Sequence, residues 1–150
     1  MAGESQVRRM VGDSMLATQI GVNPERPTVL IVEDEVLIRL SMADELRSQG
    51  IHVLEASNAE EALTILESAL PVQVLFTDIR MPGRLDGIGL TRLARERLPH
   101  IKLMLTSSHQ PEGYTRESAD VFIFKPYDLS AVVRHVEALL AQFGHEPKNP

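Results

Sequence analysis

The sequence predicts an α/β fold, a doubly wound, five-stranded parallel sheet with helices on both faces. Two observations predict it. From Thr28 onward, short apolar runs alternate with segments of helical spacing, the pattern of strand–crossover–strand units. Acidic, hydroxyl and basic residues stand directly after those runs, at the carboxyl ends of strands, where open sheets of this class gather their function.

The first strand is VLIV at 29 to 32, bounded by Thr28 and the acids Glu33, Asp34 and Glu35. HVLEA at 52 to 56 is the second, and Ser57 with Glu60 reads as a capping box opening the helix that follows. That helix carries Ala59, Ala62, Leu63, Leu66 and Leu70 as one stripe. VQVLF at 72 to 76 is the third strand; Asp78 and the turn Pro82-Gly83 follow it, and Asp86 caps a helix whose stripe is Leu90, Leu93, Ala94 and Leu98. IKLMLT at 101 to 106 is the fourth. The stretch between Ser108 and Ala119 holds a Pro and a Gly, so a short or irregular fourth helix is expected. VFIF at 121 to 124 is the fifth strand, and Asp128 caps a last helix with Leu129, Val132, Val133, Val136, Leu139, Leu140 and Phe143 on one face. Five strands in this alternation give a flavodoxin-like (βα)5 count.

The 150 residues, 43% hydrophobic, suit one domain with a sizeable core. Residues 1–26 and 144–150 lack a sustained period and read as flexible tails around a domain at 27–143. A net charge of −6 argues against a nucleic-acid groove or an anionic membrane surface as main partner. There is no cysteine, hence no disulfide and no thiolate metal site. No apolar run approaches the roughly 18 to 20 residues that span a bilayer, and a cytoplasmic location is expected.

The strand ends bring together Glu33, Asp34 and Glu35, then Asp78, then Thr106, Ser107 and Ser108, then Lys125-Pro126. Clustered carboxylates repel one another unless a cation joins them. Oxygen-only donors without histidine or thiolate nearby point to Mg²⁺, with Mn²⁺ able to substitute. A phosphoryl group would complete such a site, its charge met by Lys125 and its oxygens by the Thr106 hydroxyl, with Asp78 as the nucleophile that becomes an acyl phosphate.

VLIVEDE, VLFTDIRMPG, the DG at Asp86-Gly87, LMLTSS and FIFKPY, in this order, resemble the receiver (CheY-like) domain of two-component response regulators over residues 28 to about 143. The resemblance implies Glu33 and Asp34 as the metal-binding acids, the Arg80 backbone carbonyl as a further ligand, and Asp78 as the phosphoacceptor. It also implies Thr106 and Phe122 as the switch pair, Lys125 as the phosphate-binding lysine, and a cis Lys125-Pro126 bond. The implied function is a phosphorelay step rather than turnover of a substrate: a histidine kinase or phosphotransfer protein donates, and a downstream protein reads the result. Beyond 143 no further core follows, so a stand-alone receiver is expected. The stripe of the last helix leaves room for a homodimer.

This chain departs from the family pattern at four points. Thr106 and Lys125 are only 19 residues apart, the loop MPGRLDG has one extra residue, Ser107 stands where a smaller residue is usual, and Phe122 has no hydroxyl. Arg80, beside the nucleophile, is expected to screen the acyl phosphate from water. A flavodoxin-type nucleotide binder would need a hydroxyl- and glycine-rich first loop where VEDEV stands, and a dehalogenase-type phosphatase would need a D-x-D pair where Asp34-Glu35-Val36 stands. A phosphate sink or a phosphorylation-independent binding module on the same fold remains the alternative.

Overall fold

The computed structural model describes residues 26–145 apart from Gly113, Thr115 and Arg116. The expected tails therefore lie outside the described residues, except for Arg26, Gly144 and His145. Five strands, β1 (Thr28–Val32), β2 (His52–Ala56), β3 (Val74–Asp78), β4 (Lys102–Ser107) and β5 (Val121–Phe124), form one parallel sheet in the order β2-β1-β3-β4-β5. The described helices are α1 (Val36–Ser48), α2 (Ala59–Glu67), α3 (Gly87–Arg97) and α4 (Leu129–Ala141). None of them is long and apolar enough to cross a membrane.

The central strands are apolar on both faces because both faces are covered. Successive side chains alternate in direction. Val29, Ile31, Val74, Phe76 and Met104 therefore pack with Met42, Ala43 and Leu46 of α1 and Val132, Val136 and Leu140 of α4. Leu30, Val32, Leu75, Leu103 and Leu105 face Ala59, Ala62 and Leu66 of α2 and Leu90 and Ala94 of α3. Leu90 and Leu140 are wholly buried; truncating either to alanine costs about 2 to 5 kcal/mol, depending on how far the site collapses.

Several expected boundaries shift. β3 begins two residues later than its apolar run and continues through Thr77 and Asp78, because the hydrogen-bonded ladder with β4 extends to the pair Asp78 and Thr106. β4 starts at Lys102 and includes Ser107. The cap of α2 is Asn58 rather than Ser57. Its side chain accepts the Glu61 N–H at 2.8 Å, while the Glu61 carboxylate accepts the Ser57 N–H and hydroxyl at 2.9 and 2.6 Å. The box is thus displaced by one residue, leaving Glu60 outside it. Asp86 caps α3 through the Gly89 N–H at 2.8 Å, whereas Asp128 occupies the cap of α4 without a side-chain bond. Leu70 lies past α2, and Phe143 lies past α4 and is exposed. Between β4 and β5, where a short or irregular helix is expected, no described residue is helical, and Gly113, Thr115 and Arg116 lie outside the described residues. Asp120 secures this crossover, accepting the Leu103 N–H at 2.8 Å and pairing with Arg95 at 3.1 Å.

Candidate functional site: an acid pocket at the carboxyl edge of the sheet

The sheet order reverses between β1 and β3, whose carboxyl ends carry Glu33 and Asp78. Alternation along the chain gives Glu33 the phase of Ile31, Asp78 that of Phe76, Thr106 that of Met104 and Lys125 that of Ile123. All four belong to the side of the sheet covered by α1 and α4.

Glu33 is 2% exposed and Asp78 8%. Asp34 is exposed, yet carboxylate oxygens of all three acids lie within 4.8 Å of one another. Lys125 Nζ donates to Asp78 Oδ2 at 2.6 Å and stands 3.4 Å from Glu33 Oε2. Backbone N–H groups fix the acids further: Glu35 N–H donates to Glu33 Oε1 at 3.0 Å, and Arg80 N–H to Asp78 Oδ1 at 3.2 Å. Arg39 of α1 holds the Glu33 carbonyl at 2.8 Å, and its guanidinium pairs with Glu55 at 3.4 Å rather than with the acid pocket. The Lys125 N–H donates to the Ser107 carbonyl at 3.0 Å, and the following Lys125-Pro126 bond is cis.

Burial pushes the Glu33 carboxyl above its ordinary value, against the opposing pull of the Glu35 N–H and the Lys125 charge. Burial also pulls the Lys125 ammonium down, but the hydrogen bond and charge of Asp78 and the charge of Glu33 outweigh it, and the net direction is upward. The Tyr127 phenol, next in chain after the cis proline, is pushed up to about 12 by burial. Thr106 sits beside Asp78 in the ladder, and its hydroxyl is buried without a hydrogen-bond partner. A buried hydroxyl left unbonded is costly unless something else occupies it.

The residues present therefore fit a hard divalent cation and a phosphoryl group: three oxygen donors in reach of one ion, one ammonium, and one unpartnered hydroxyl. Glu35, which the sequence grouped with these acids, is exposed and stands at the N-cap of α1. The Arg80 side chain is also exposed. Phe122 is half-buried toward the opposite face, with ring centroids 4.9 Å from Tyr114 and 4.8 Å from Phe124.

Gly87 explains the Asp-Gly pair in physical terms. A Cβ there would stand 2.1 Å from the Asp78 carbonyl oxygen, so only glycine lets α3 start against the end of β3. Sequence reasoning missed two features. An apolar groove of about 770 Å³ beside Lys125 is lined by Leu37, Ile38, Pro126, Tyr127 and Leu129, next to the exposed Val36 and Leu40. Its signal was the unbroken apolar start of α1, Val36-Leu37-Ile38, longer than one buried stripe requires. Glu60, the second, reaches the loop after Asp78 from α2, and nothing local in sequence announces a contact 24 residues away.

Comparison with known proteins agrees with this geometry. Residues 29–137 match the response regulator receiver domain family. The chain is 34% identical over 123 residues to the transcriptional activator protein ExaE of Pseudomonas putida, covering 78% of this chain and 56% of that protein. It therefore spans little more than half the length of that relative. Among solved structures, the receiver domain of the hybrid histidine kinase CckA superposes with a TM-score of 0.64 at 35% identity, covering 75% of this chain and 98% of that one. The response regulator TrrA of Thermotoga maritima, solved in complex with Mg²⁺-BeF, gives 0.67 at 25% identity, covering 75% and 98%. With the sheet order, the acid edge and the family match in agreement, the chain belongs to the response regulator receiver domains, the CheY-like phosphoacceptor modules of two-component signalling.

Proposed function

We propose that Asp78 accepts a phosphoryl group from a histidine kinase or phosphotransfer protein in the cytoplasm, and that the acyl phosphate switches binding to a downstream protein. The observation that carries this reading is the Asp78–Lys125 pair at 2.6 Å, its carboxylate buried and its ammonium half-buried, with the unpartnered Thr106 hydroxyl on the adjoining strand. A carboxylate oxygen of Asp78 forms the new P–O bond as the P–N bond to the donor imidazole breaks, the nitrogen keeping the electron pair. Lys125 neutralises the incoming oxygens, and Thr106 donates its hydrogen bond to one of them. Glu33, Asp34, Asp78 and the Arg80 carbonyl would hold Mg²⁺, which supplies charge neutralisation at the phosphoryl oxygens when bound; Mn²⁺ is expected to substitute. The exposed Arg80 side chain screens the product from water. The groove along α1 and Pro126 opens beside Lys125 and gives an apolar donor surface a place to dock.

Thr106 and Phe122 form the switch. Drawing the hydroxyl toward the phosphoryl group changes the packing of the Phe122 ring against Tyr114, without any phenol oxygen on Phe122. The alternative, a phosphate sink, shares the chemistry but predicts no change in partner affinity.

Incubation with acetyl phosphate followed by intact mass measurement tests the reading. A gain of one phosphoryl mass that requires Mg²⁺ and disappears in Asp78→Asn is expected; label retained by Asp78→Asn would assign the acceptor elsewhere.

A further inference from the structure

The loop from Ile79 to Asp86 joins the end of β3 to α3 and carries Arg80. Its two ends are tightly fixed. Ile79 N–H donates to the Thr106 carbonyl at 3.0 Å, and Gly87 N–H returns to the Ile79 carbonyl at 2.9 Å. At its apex the chain turns through Gly83 at φ +117°, a conformation that side chains with a Cβ rarely adopt. There the loop meets α2. Glu60 Oε1 accepts the Arg84 N–H at 3.1 Å, and Glu60 Oε2 stands 2.9 Å from where a Gly83 Cβ would be. Among the described hydrogen bonds, this is the one that ties the apex to another element.

Glu60 is available for this because the cap of α2 does not use it: Asn58 and Glu61 close the cap between them. α2 is in turn anchored on the sheet by Ala59, Ala62 and Leu66. The chain of support thus runs from the core, through the first turn of α2, to the apex, and back along Met81 and Pro82 to Arg80.

We infer that Glu60 is a positioning residue for the acid pocket: its carboxylate holds the lengthened loop so that the Arg80 backbone is fixed beside Asp78, and this sets the affinity for the divalent cation. The inference rests on the proposed metal site and adds to it a residue that touches neither ion nor phosphoryl group. Groups that orient metal ligands from outside commonly change affinity by about tenfold or more.

The test is titration of the metal-free protein with Mg²⁺ alone, followed by calorimetry or amide chemical shifts, alongside the thermal midpoint of the metal-free form. Glu60→Ala removes both the charge and the acceptor, whereas Glu60→Gln removes the charge and keeps an oxygen that accepts the Arg84 N–H. Mg²⁺ affinity is expected to fall roughly tenfold in Glu60→Ala, to stay within about twofold of wild type in Glu60→Gln, and the metal-free midpoint to be unchanged in both. Gly83→Ala, which leaves α2 intact but both crowds the carboxylate and strains the loop backbone at φ +117°, should weaken Mg²⁺ at least as much as Glu60→Ala does and keeps the test open if that variant fails to fold. Wild-type affinity in Glu60→Ala or Gly83→Ala overturns the inference, as does an equal loss in Glu60→Gln and Glu60→Ala, which would make the effect one of charge alone. A wild-type protein that binds no Mg²⁺ would sink the proposed metal site itself, a result distinguishable from failure of the strut.

Discussion

Replacing Lys125 by methionine keeps the length of the side chain and removes the ammonium that faces Asp78 and Glu33. The cost follows from burial. Asp78 and Glu33 are 8% and 2% exposed, so water replaces a missing partner only in part. Breaking a fully buried pair by removing one member costs about 3 to 5 kcal/mol, mostly as the penalty of the stranded charge. The Lys125 side chain keeps 21% of its exposure, which admits solvent to this edge and scales the expected loss down to about 2 to 3 kcal/mol. In an Asp78→Asn background only Glu33, at 3.4 Å, remains to be stranded, and the same substitution should cost about half as much. The coupling in the double-mutant cycle is then on the order of 1 kcal/mol or more. Urea unfolding in metal-free buffer at pH 7 measures all four proteins. The pH dependence has a definite sign. The folded-state pKa of Glu33 is raised above its ordinary 4.5, so its buried charge costs stability above the raised value, and that cost is relieved as pH falls toward 4.5. The deficit of Lys125→Met should therefore narrow across this acidic window. Lys125, whose own value is raised above 10.5, contributes its full stability below 10.5 and loses it only as pH climbs through the raised value. Equal costs in the two backgrounds, together with a deficit that ignores acidification, would refute the reasoning.

Thr106→Ala removes an unpartnered buried hydroxyl, a gain of about 1 kcal/mol or more, together with a buried methyl group, a loss of about 1 kcal/mol, so stability in urea should not fall by more than about 0.5 kcal/mol, while beryllofluoride-induced amide shifts around Phe122 should shrink. Asn58→Ala removes the acceptor for the Glu61 N–H and should cost about 1 kcal/mol in the same assay. Gly87→Ala sets a methyl group 2.1 Å from the Asp78 carbonyl oxygen, a backbone atom that cannot swing aside. The loss should reach about 3 kcal/mol, and a melting midpoint equal to wild type would mean that β3 and α3 separate more easily than their geometry implies.

The parts of the fold legible in sequence were those with a period. Runs such as VLIV and VFIF, and the stripe from Leu129 to Leu140, carry their burial in their spacing, and the acids and the lysine stood at the ends of the runs. What failed were decisions between neighbours of equal chemistry. Ser57-Asn58-Ala59-Glu60-Glu61 contains two overlapping capping registers, and only the extended backbone of Asn58 selects the second. β3 outran its apolar stretch because Thr77 and Asp78 continue the ladder with β4 despite their polarity. Phe143 kept the phase of the last helix but lies beyond its end. Contacts such as Glu60 with Arg84, or Arg39 with the Glu33 carbonyl, depend on two elements meeting in space. No local pattern encodes them.

The charge arrangement explains why stability and function meet in one pocket. Three carboxylates approach within 4.8 Å, and the ion pairs of the described residues bring only Lys125 to them. Arg39 is close in sequence and in space, yet its guanidinium is committed to a backbone carbonyl and to Glu55. Arg80 contributes a backbone N–H to Asp78 while its side chain stays in solvent. The pocket is therefore short of positive charge as built, and Glu33 is displaced upward chiefly by its burial, which the Glu35 N–H and the Lys125 charge offset only in part. A second basic residue in the cluster would relieve it and make the fold more stable, but it would also fill the space and charge that a divalent cation requires. Leaving the deficit in place would tie the free energy of the pocket to a cation that enters it, and under the proposed function a phosphoryl group arriving at Asp78 would meet an ammonium and an unpartnered hydroxyl already in position.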